Sequence, residues 1–230
     1  MLKTATQTAT VIEIIPETSD TQTFRLGAYF DFKSGQAISL LLPGDPKKRY
    51  YSLSSSPTEK GHLDITIKAE REQGLYGSLF SLKENSKVEI SGPLGSFTLP
   101  EPLKGPYYFL AGGSGVTPFR SMIKFILDTR PETESWLFNS ARAPDDLVFR
   151  EQFLSWAANP NFRYVPTFTR TTDFGEMGET GRIGETLLRK HLAMREGIFF
   201  LCGSREFVTD MERVLAGMAV PAAHIRRENW

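Results

Sequence analysis

The sequence is poor in the residues that hold metals and disulfides. It contains one cysteine, Cys202, among 230 residues. A single cysteine forms no disulfide within the chain, and it excludes an iron–sulfur cluster held by four thiolates of these residues. The three histidines are isolated and lack the spacing of metal ligands; they are His62, His191 and His224. We therefore predict no metal site.

The chain also lacks an excess of charge of either sign, with 27 Lys and Arg against 27 Asp and Glu. General nucleic-acid binding depends on excess positive charge, so this balance argues against that class. No apolar run reaches the length of a membrane-spanning helix, and residues 1–10 lack the apolar core of a secretion signal. We expect a cytoplasmic protein without a membrane span or a nucleic-acid partner.

What the sequence does contain is enough apolar material for two compact domains, because hydrophobic residues make up 40% of it. The first hundred residues carry short apolar or alternating runs that are separated by turn residues. The clearest runs cover residues 21–26, 37–42, 63–68 and 87–90. This pattern predicts an antiparallel β-barrel, interrupted by one short helix at residues 76–82.

The pattern changes near residue 105, so we predict one domain over residues 1–104 and a second over residues 105–230. The second half alternates between strands and helices, as in an α/β domain with a parallel sheet. Its predicted strands cover residues 107–111, 135–138, 162–165, 197–202 and 224–227. Its predicted helices cover residues 119–130, 146–158 and 206–218.

The serine-rich stretch, residues 49–57, reads Arg-Tyr-Tyr-Ser-Leu-Ser-Ser-Ser-Pro. A strand buried in a core would hardly contain four serines, because each hydroxyl needs a partner once water is removed. Taken alone, the stretch is either a polar edge strand that leads into a turn or a strand that contacts a ligand.

Two glycine-bearing turns lead into helices, one at residues 73–75 and one in the glycine loop, residues 112–118. A helix N-terminus presents free N–H groups and suits a phosphate. The glycine loop is not the G-x-G-x-x-G fingerprint of dinucleotide-binding folds, so that interpretation does not transfer. Either turn alone is also compatible with a purely structural role.

In this order, the motifs resemble the ferredoxin–NADP reductase superfamily over nearly the whole chain. The residues that carry the resemblance are Arg49-x-Tyr51-Ser52-x-Ser54, Gly74-x-x-Gly77, Gly92-Pro93-x-Gly95-x-Phe97, Gly112-Gly113-x-Gly115-x-Thr117-Pro118, Cys202-Gly203 and Glu228-x-Trp230. The resemblance implies a flavin-binding antiparallel barrel followed by a nucleotide-binding α/β domain.

For FAD, the resemblance implies that Arg49 contacts the pyrophosphate, Tyr51 packs on the isoalloxazine and Ser52 lies near flavin N5. Many relatives carry serine at the position of Gly77, so Ser78 would have to supply that hydroxyl. Tyr50 is expected to support the barrel. The other residues expected at the flavin are Leu53, Ser54, Lys68, Gly74, Leu75 and Tyr76.

For the nicotinamide cofactor, the resemblance implies a cradle that is formed by Gly112, Gly113, Ser114, Gly115 and Thr117. Cys202 and Gly203 would lie beside the nicotinamide. A nucleophilic role for Cys202 is disfavoured, because no His or Asn signature accompanies it.

Cations beyond the sheet edge would select NADP over NAD by binding its 2′-phosphate. Arg142, Arg170 and Arg182 lie in loops at the expected edge, with Ser140 nearby. These residues predict NADP, with NAD as the alternative if the arginines are ordinary solvated charges.

At the end of the sequence, Trp230 would stack on flavin or adenine, or else fill a hydrophobic gap. Glu228 would relay a proton for the reduced flavin, or pair with Arg226 or Arg227. The expected catalytic residues are Tyr51, Ser52, Cys202 and Glu228.

The resemblance thus implies an FAD-dependent reductase that takes hydride from NADPH and passes single electrons to ferredoxin, flavodoxin or an oxygenase component. The acceptor would be separate, and the reductase a monomer. One alternative is an NAD(P)H:flavin reductase that releases its flavin. Another is an electron-transfer subunit that is active only with a partner.

Overall fold

The computed structural model describes residues 4–69, 77–172, 177–192 and 196–229. The chain divides into two compact units. The N-terminal unit comprises Met1–Leu99 and Thr117–Phe125, and the C-terminal unit comprises Pro100–Val116 and Ile126–Trp230. The domain boundary at residue 104 stays a prediction.

The N-terminal unit is an antiparallel sheet of six strands in the order β4-β3-β6-β1-β2-β5. The strands are β1 (Ala5–Thr18), β2 (Thr21–Gly27), β3 (Ala37–Leu41), β4 (Arg49–Ser52), β5 (Leu63–Lys68) and β6 (Lys87–Leu94), with a short helix α1 (Gly77–Phe80) between β5 and β6.

The two edge strands of this sheet meet directly after β4. Leu53 forms an isolated antiparallel bridge with Ile65 of β5, and the Ser54 amide donates to the Asp64 carbonyl at 2.8 Å. These bonds join the edges that the strand order would otherwise leave apart, so the sheet closes into the predicted barrel.

The barrel core comes from strands that alternate between apolar and polar residues. Phe24 of β2 lies opposite Ile65 of β5, and Leu26 lies opposite Leu63. All four side chains are at most 1% exposed. Each such side chain contributes about 1.5–3 kcal/mol on burial.

The C-terminal unit is built on a parallel sheet in the order β10-β9-β8-β7-β11-β12. Its strands are β7 (Tyr107–Gly112), β8 (Ser135–Ala141), β9 (Phe162–Phe168), β10 (Glu179–Thr180), β11 (Ile198–Gly203) and β12 (Ile225–Asn229). The helices that follow β7 are α2 (Thr117–Thr129), α3 (Arg150–Trp156), α4 (Glu185–His191) and α5 (Arg205–Gly217).

The strand order reverses at β7, which lies between β8 and β11. In open parallel sheets, ligands bind beyond the carboxyl ends of the strands at such a switch point. The glycine loop directly follows β7, so the topology brings it to this position. The predicted fold class, an antiparallel barrel followed by a parallel α/β sheet, is confirmed.

The structure differs from the predicted elements mainly in the second unit. The helix expected at residues 146–158 covers only Arg150–Trp156, because Phe149 before it adopts a left-handed backbone with φ of 60°. Strand β10 and helix α4 were not predicted. With two and seven residues, they are too short for a clear periodic pattern.

Among the described residues, no helix combines the length and the apolar character needed to cross a membrane. In the same part of the chain, no group of three or more His, Cys, Asp and Glu side chains is arranged to hold a metal ion.

Candidate functional site

Arg49 is a buried cation at the start of the serine-rich stretch. It is 8% exposed and lies opposite Leu40 of β3. Its Nη2 donates to Asp45 Oδ2 at 2.5 Å, and its Nη1 donates to the Lys47 carbonyl at 3.0 Å. The Arg49 hydrogen bond lowers the pKa of Asp45. The guanidinium is therefore held in a defined place before any ligand binds.

The two tyrosines that follow have different environments. Tyr51 lies opposite Ile38 and packs partly buried against the barrel core. Tyr50 is 66% exposed, so the expectation that it supports the barrel is wrong. Successive strand residues point to opposite sides, and the side that Tyr50 takes here is open to solvent. Ser52 ends β4 at 7% exposure, opposite Ala37.

Ser54, Ser55 and Ser56 are fully buried and have protein partners. Thr66 Oγ1 donates to Ser54 Oγ at 3.0 Å, and the Asp64 amide donates to Ser55 Oγ at 3.0 Å. Ser56 Oγ lies 2.7 Å from Thr58 Oγ1. The buried hydroxyls of Ser54 and Ser55 are therefore satisfied by β5, and that of Ser56 by the turn that follows. Contacts from Leu53, fully buried, and Ser54 to flavin stay predictions.

Arg120 of α2 is a buried charged residue that the sequence did not single out. It is 7% exposed and forms a two-pronged ion pair with Glu59, with Nη1 to Oε2 at 2.8 Å and Nη2 to Oε1 at 3.1 Å. Nη1 also donates to the Ser54 carbonyl at 2.8 Å. The only signal in the sequence is an arginine among apolar helix residues, which does not identify a partner 61 positions earlier.

Glu59 should make stability depend on pH. Burial by itself raises its pKa, but the hydrogen bonds and charge of Arg120 outweigh this, and the pKa lies below the ordinary 4.5. A lowered folded-state pKa stabilises the protein above the unfolded-state pKa, and that stability is lost as pH falls through the folded value. We expect Glu59→Gln to reduce the fall in melting temperature between about pH 6 and about pH 3. An equal fall in both proteins, measured by circular dichroism, would contradict this.

The remaining flavin predictions are only partly within the described residues. Lys68 ends β5, and its Nζ lies 3.3 Å from Asp20 Oδ2. Gly77 begins α1 and Ser78 follows it in that helix. Gly74, Leu75 and Tyr76, like Trp230 at the end of the sequence, lie outside the described residues. Their predicted roles stay predictions.

The glycine loop lies directly against the end of β11. A Cβ on Gly115 would come within 2.1 Å of the Cys202 carbonyl oxygen, and one on Gly112 within 2.8 Å of the ring of Phe207. Gly113 has a left-handed φ of 56°, and nothing within 4 Å would meet a side chain there. The loop therefore needs glycine for close packing on one side, while its backbone at Gly113 stays open on the other.

Ser114 and Thr117 are the other two residues of this region that are predicted to contact the nicotinamide cofactor. Ser114 is half-buried in the turn Gly113–Val116, and Thr117 begins α2 at 4% exposure. Pro118 follows in the first helical turn, where a missing N–H costs nothing.

Cys202 is fully buried and lies opposite Glu228 in the β11–β12 pair. Burial raises the pKa of its thiol well above the ordinary value, and the negative charge of Glu228 raises it further. The thiol is therefore neutral at physiological pH, which argues against a nucleophilic role. Gly203 follows at the carboxyl end of β11, where a Cβ would come within 2.9 Å of the Phe207 ring.

Arg142, Arg170 and Arg182 all follow the carboxyl ends of parallel strands, and we call them the arginine edge. The amide of Arg170 donates to the Arg142 carbonyl at 3.0 Å, and the Gly181 amide donates to the Phe168 carbonyl at 2.7 Å. All three side chains are exposed. Ser140 lies nearby on β8, opposite Gly112. The topology thus brings residues from three separate loops to one edge.

Comparison with known proteins gives a match for each unit. Residues 8–99 match the family described as the oxidoreductase FAD-binding domain, and residues 109–213 match the oxidoreductase NAD-binding domain. The chain is 30% identical over 219 residues to ferredoxin–NADP reductase B of Sorangium cellulosum, covering 89% of this chain and 87% of that protein.

A second relative is the glycine betaine monooxygenase reductase subunit of Chromohalobacter salexigens. It is 29% identical over 230 residues, which is 95% of this chain and 62% of that protein. Several relatives are similarly longer, and the chain spans 56% to 62% of their length.

Among solved structures, the crystal structure of the Amycolatopsis cytochrome P450 reductase GcoB has a TM-score of 0.91 at 27% identity, covering all of this chain and 71% of that one. The two domain matches cover most of the sequence in the order in which the structure places the barrel and the parallel sheet. The chain therefore belongs to the ferredoxin–NADP reductase superfamily of oxidoreductases, with FAD and NAD(P) as its cofactors.

Proposed function

We propose that the chain is an FAD-dependent reductase that oxidises NADPH and delivers single electrons to ferredoxin, flavodoxin or an oxygenase component. The observation that carries the choice of NADPH is the arginine edge. Arg142, Arg170 and Arg182 have no hydrogen-bond or ion-pair partner among the described side chains, so their guanidinium groups remain available to a phosphate.

The described residues fit both cofactors. Arg49 is a buried, oriented guanidinium whose donors suit a pyrophosphate. At Gly115 a Cβ would clash with the Cys202 carbonyl, so the loop packs closely on β11 there, whereas the backbone at Gly113 has open space around it. A backbone-lined turn of this kind suits the phosphates of a dinucleotide. These two observations support tight FAD and a nicotinamide dinucleotide.

When bound, the nicotinamide would supply a hydride to FAD, and the reduced flavin would pass its two electrons on one at a time and release the proton. The protein contributes orientation and electrostatics. Tyr51 and Ser52 would orient the flavin ring, and the glycine loop would hold the dinucleotide. Cys202 offers a small, neutral side chain beside it, and Glu228 holds or moves a proton.

The acceptor lies outside these 230 residues, because one cysteine holds no four-thiolate cluster. Two relatives are named as the reductase subunit or component of a monooxygenase, and one is named as a ferredoxin–NADP reductase. These names support an electron-carrier protein or an oxygenase component as the acceptor. The cytoplasmic location and the monomeric state stay predictions from the sequence.

Arg142→Ala should lower kcat/KM for NADPH about 10- to 100-fold and leave NADH oxidation unchanged. One charge-assisted hydrogen bond to the 2′-phosphate accounts for a loss of this size, and NADH lacks that phosphate. Steady-state ferricyanide reduction with each nucleotide measures the ratio.

Arg163→Ala is the matched control for this experiment. Arg163 is also exposed, but it lies at the amino end of β9, whereas Arg142 follows the carboxyl end of β8. Arg163→Ala should leave kcat/KM unchanged for NADPH and for NADH. Equal use of NADPH and NADH by the wild type would overturn the NADP assignment.

A further inference from the structure

Arg120 links the serine-rich stretch to the helix that follows the glycine loop. Both ends of the link lie in the N-terminal unit, since residues 117–125 group with the barrel. Ser54, whose carbonyl Arg120 binds, comes two residues after Ser52. On the other side, Arg120 comes three residues after Thr117, so it lies one helical turn away from a predicted nicotinamide contact.

The guanidinium of Arg120 binds two partners, the Glu59 carboxylate and the Ser54 carbonyl. Two nitrogens meet the two carboxylate oxygens of Glu59, and one of them also donates to the Ser54 carbonyl. Glu59 Oε2 in turn accepts the Ser56 amide at 2.7 Å. The turn from Ser54 to Glu59 is therefore closed around the guanidinium. A lysine ammonium lacks the planar fork that makes these contacts together.

Ser54 is held from its other sides by β5. Its amide donates to the Asp64 carbonyl, and its hydroxyl accepts from Thr66. Since amide, hydroxyl and carbonyl all have partners, the backbone at Ser54 has little freedom to shift. Through Arg120, this rigid point is tied to the first turn of α2.

The ion pair of Arg120 and Glu59 is largely buried. Arg120 is 8% exposed and Glu59 is 20% exposed at their side chains. Charged groups are costly to bury, so a pair of this kind stabilises only with close geometry. Hydride transfer is also sensitive to small errors in placement.

We propose that Arg120 is a positioning residue that holds Ser52 and Thr117 in a fixed relation, so that flavin and nicotinamide meet in the geometry for hydride transfer. The proposal rests on the proposed function. It assigns Arg120 and Glu59 no contact with either cofactor.

The test uses Arg120→Lys and Glu59→Gln in the FAD-loaded protein. Stopped-flow flavin reduction at saturating NADPH should slow about 10- to 100-fold, while the NADPH concentration for half-saturation changes less than about threefold. A slower limiting rate of flavin reduction with nearly unchanged half-saturation by NADPH separates a positioning role from a role in NADPH binding. In the double variant, the loss should be no greater than in Arg120→Lys alone, because both changes break one unit.

Arg130→Met is the matched control. Arg130 follows the same helix and faces Glu132 at 3.9 Å, but both side chains are more than 60% exposed. In Arg130→Met, NADPH should reduce the bound FAD at the wild-type rate. The melting temperature and the FAD content of each variant establish that the protein is folded and loaded.

A second readout needs no turnover. Visible circular dichroism of bound FAD and the exchange rate of the Ser56 amide should both change in Arg120→Lys and stay unchanged in Arg130→Met. A wild type that NADPH does not reduce would refute the proposed function, and unchanged dichroism and exchange would then refute positioning as well. If the wild type is reduced, a full limiting rate in Arg120→Lys and Glu59→Gln refutes positioning alone.

Discussion

Gly115→Ala is expected to lower kcat/KM for NADPH-dependent flavin reduction about 100-fold or more. A Cβ at this position would come within 2.1 Å of the Cys202 carbonyl oxygen and 2.4 Å of its carbon. Both are backbone atoms of a central strand and have little room to retreat. The glycine loop must therefore move away from β11, and the path of the backbone that receives the dinucleotide changes with it.

The measurement is single-turnover reduction of bound FAD over a range of NADPH concentrations. FAD content should match the wild type, because the substituted position lies outside the barrel unit. Gly217→Ala is the control, since a Cβ there meets only Glu185 Oε2 at 3.8 Å. Wild-type reduction by Gly115→Ala would show that the loop does not receive the nucleotide.

Arg49→Met should raise the dissociation constant for FAD about 100-fold and yield mostly flavin-free protein. The guanidinium is oriented by Asp45 and the Lys47 carbonyl, and two charge-assisted hydrogen bonds to a pyrophosphate account for a loss of this size. Methionine keeps much of the buried volume without the charge.

Fluorescence titration of the flavin-free protein with FAD and with FMN measures this effect. FMN lacks the pyrophosphate, so its affinity should fall much less. Lys48→Met is the control, because Lys48 is the exposed cation immediately before Arg49. A wild type that loses its flavin on gel filtration would favour an NAD(P)H:flavin reductase. An Arg49→Met variant that retains FAD would contradict the contact of Arg49 with the pyrophosphate.

Strand periodicity in the sequence correctly placed two strands of the barrel. Residues 63–68 were predicted as a strand and form β5 with the same bounds. Residues 21–26 were predicted likewise and form most of β2. In β5, Leu63, Ile65 and Ile67 alternate with Asp64 and Thr66, and these two polar residues are also buried, at 2% and 6% exposure.

The site was less predictable, because its side chains are supported by residues far away in the sequence. The serine-rich stretch was recognised as too polar for a core strand. The partners Asp64 and Thr66 that satisfy its serines lie on another strand. The exposure of Tyr50 likewise follows from the neighbours on that side of β4, which alternation alone does not specify.

The sequence by itself determined the order of the two domains, most of the strands and the membership of the superfamily. These depend on local periodicity and on short motifs whose residues are adjacent in the chain. Only the tertiary structure decided that Arg120 pairs with Glu59 and that groups of β5 satisfy Ser54 and Ser55. Each of these requires segments separated by many residues to meet, and that separation is closed by strand pairing and packing rather than by any local pattern.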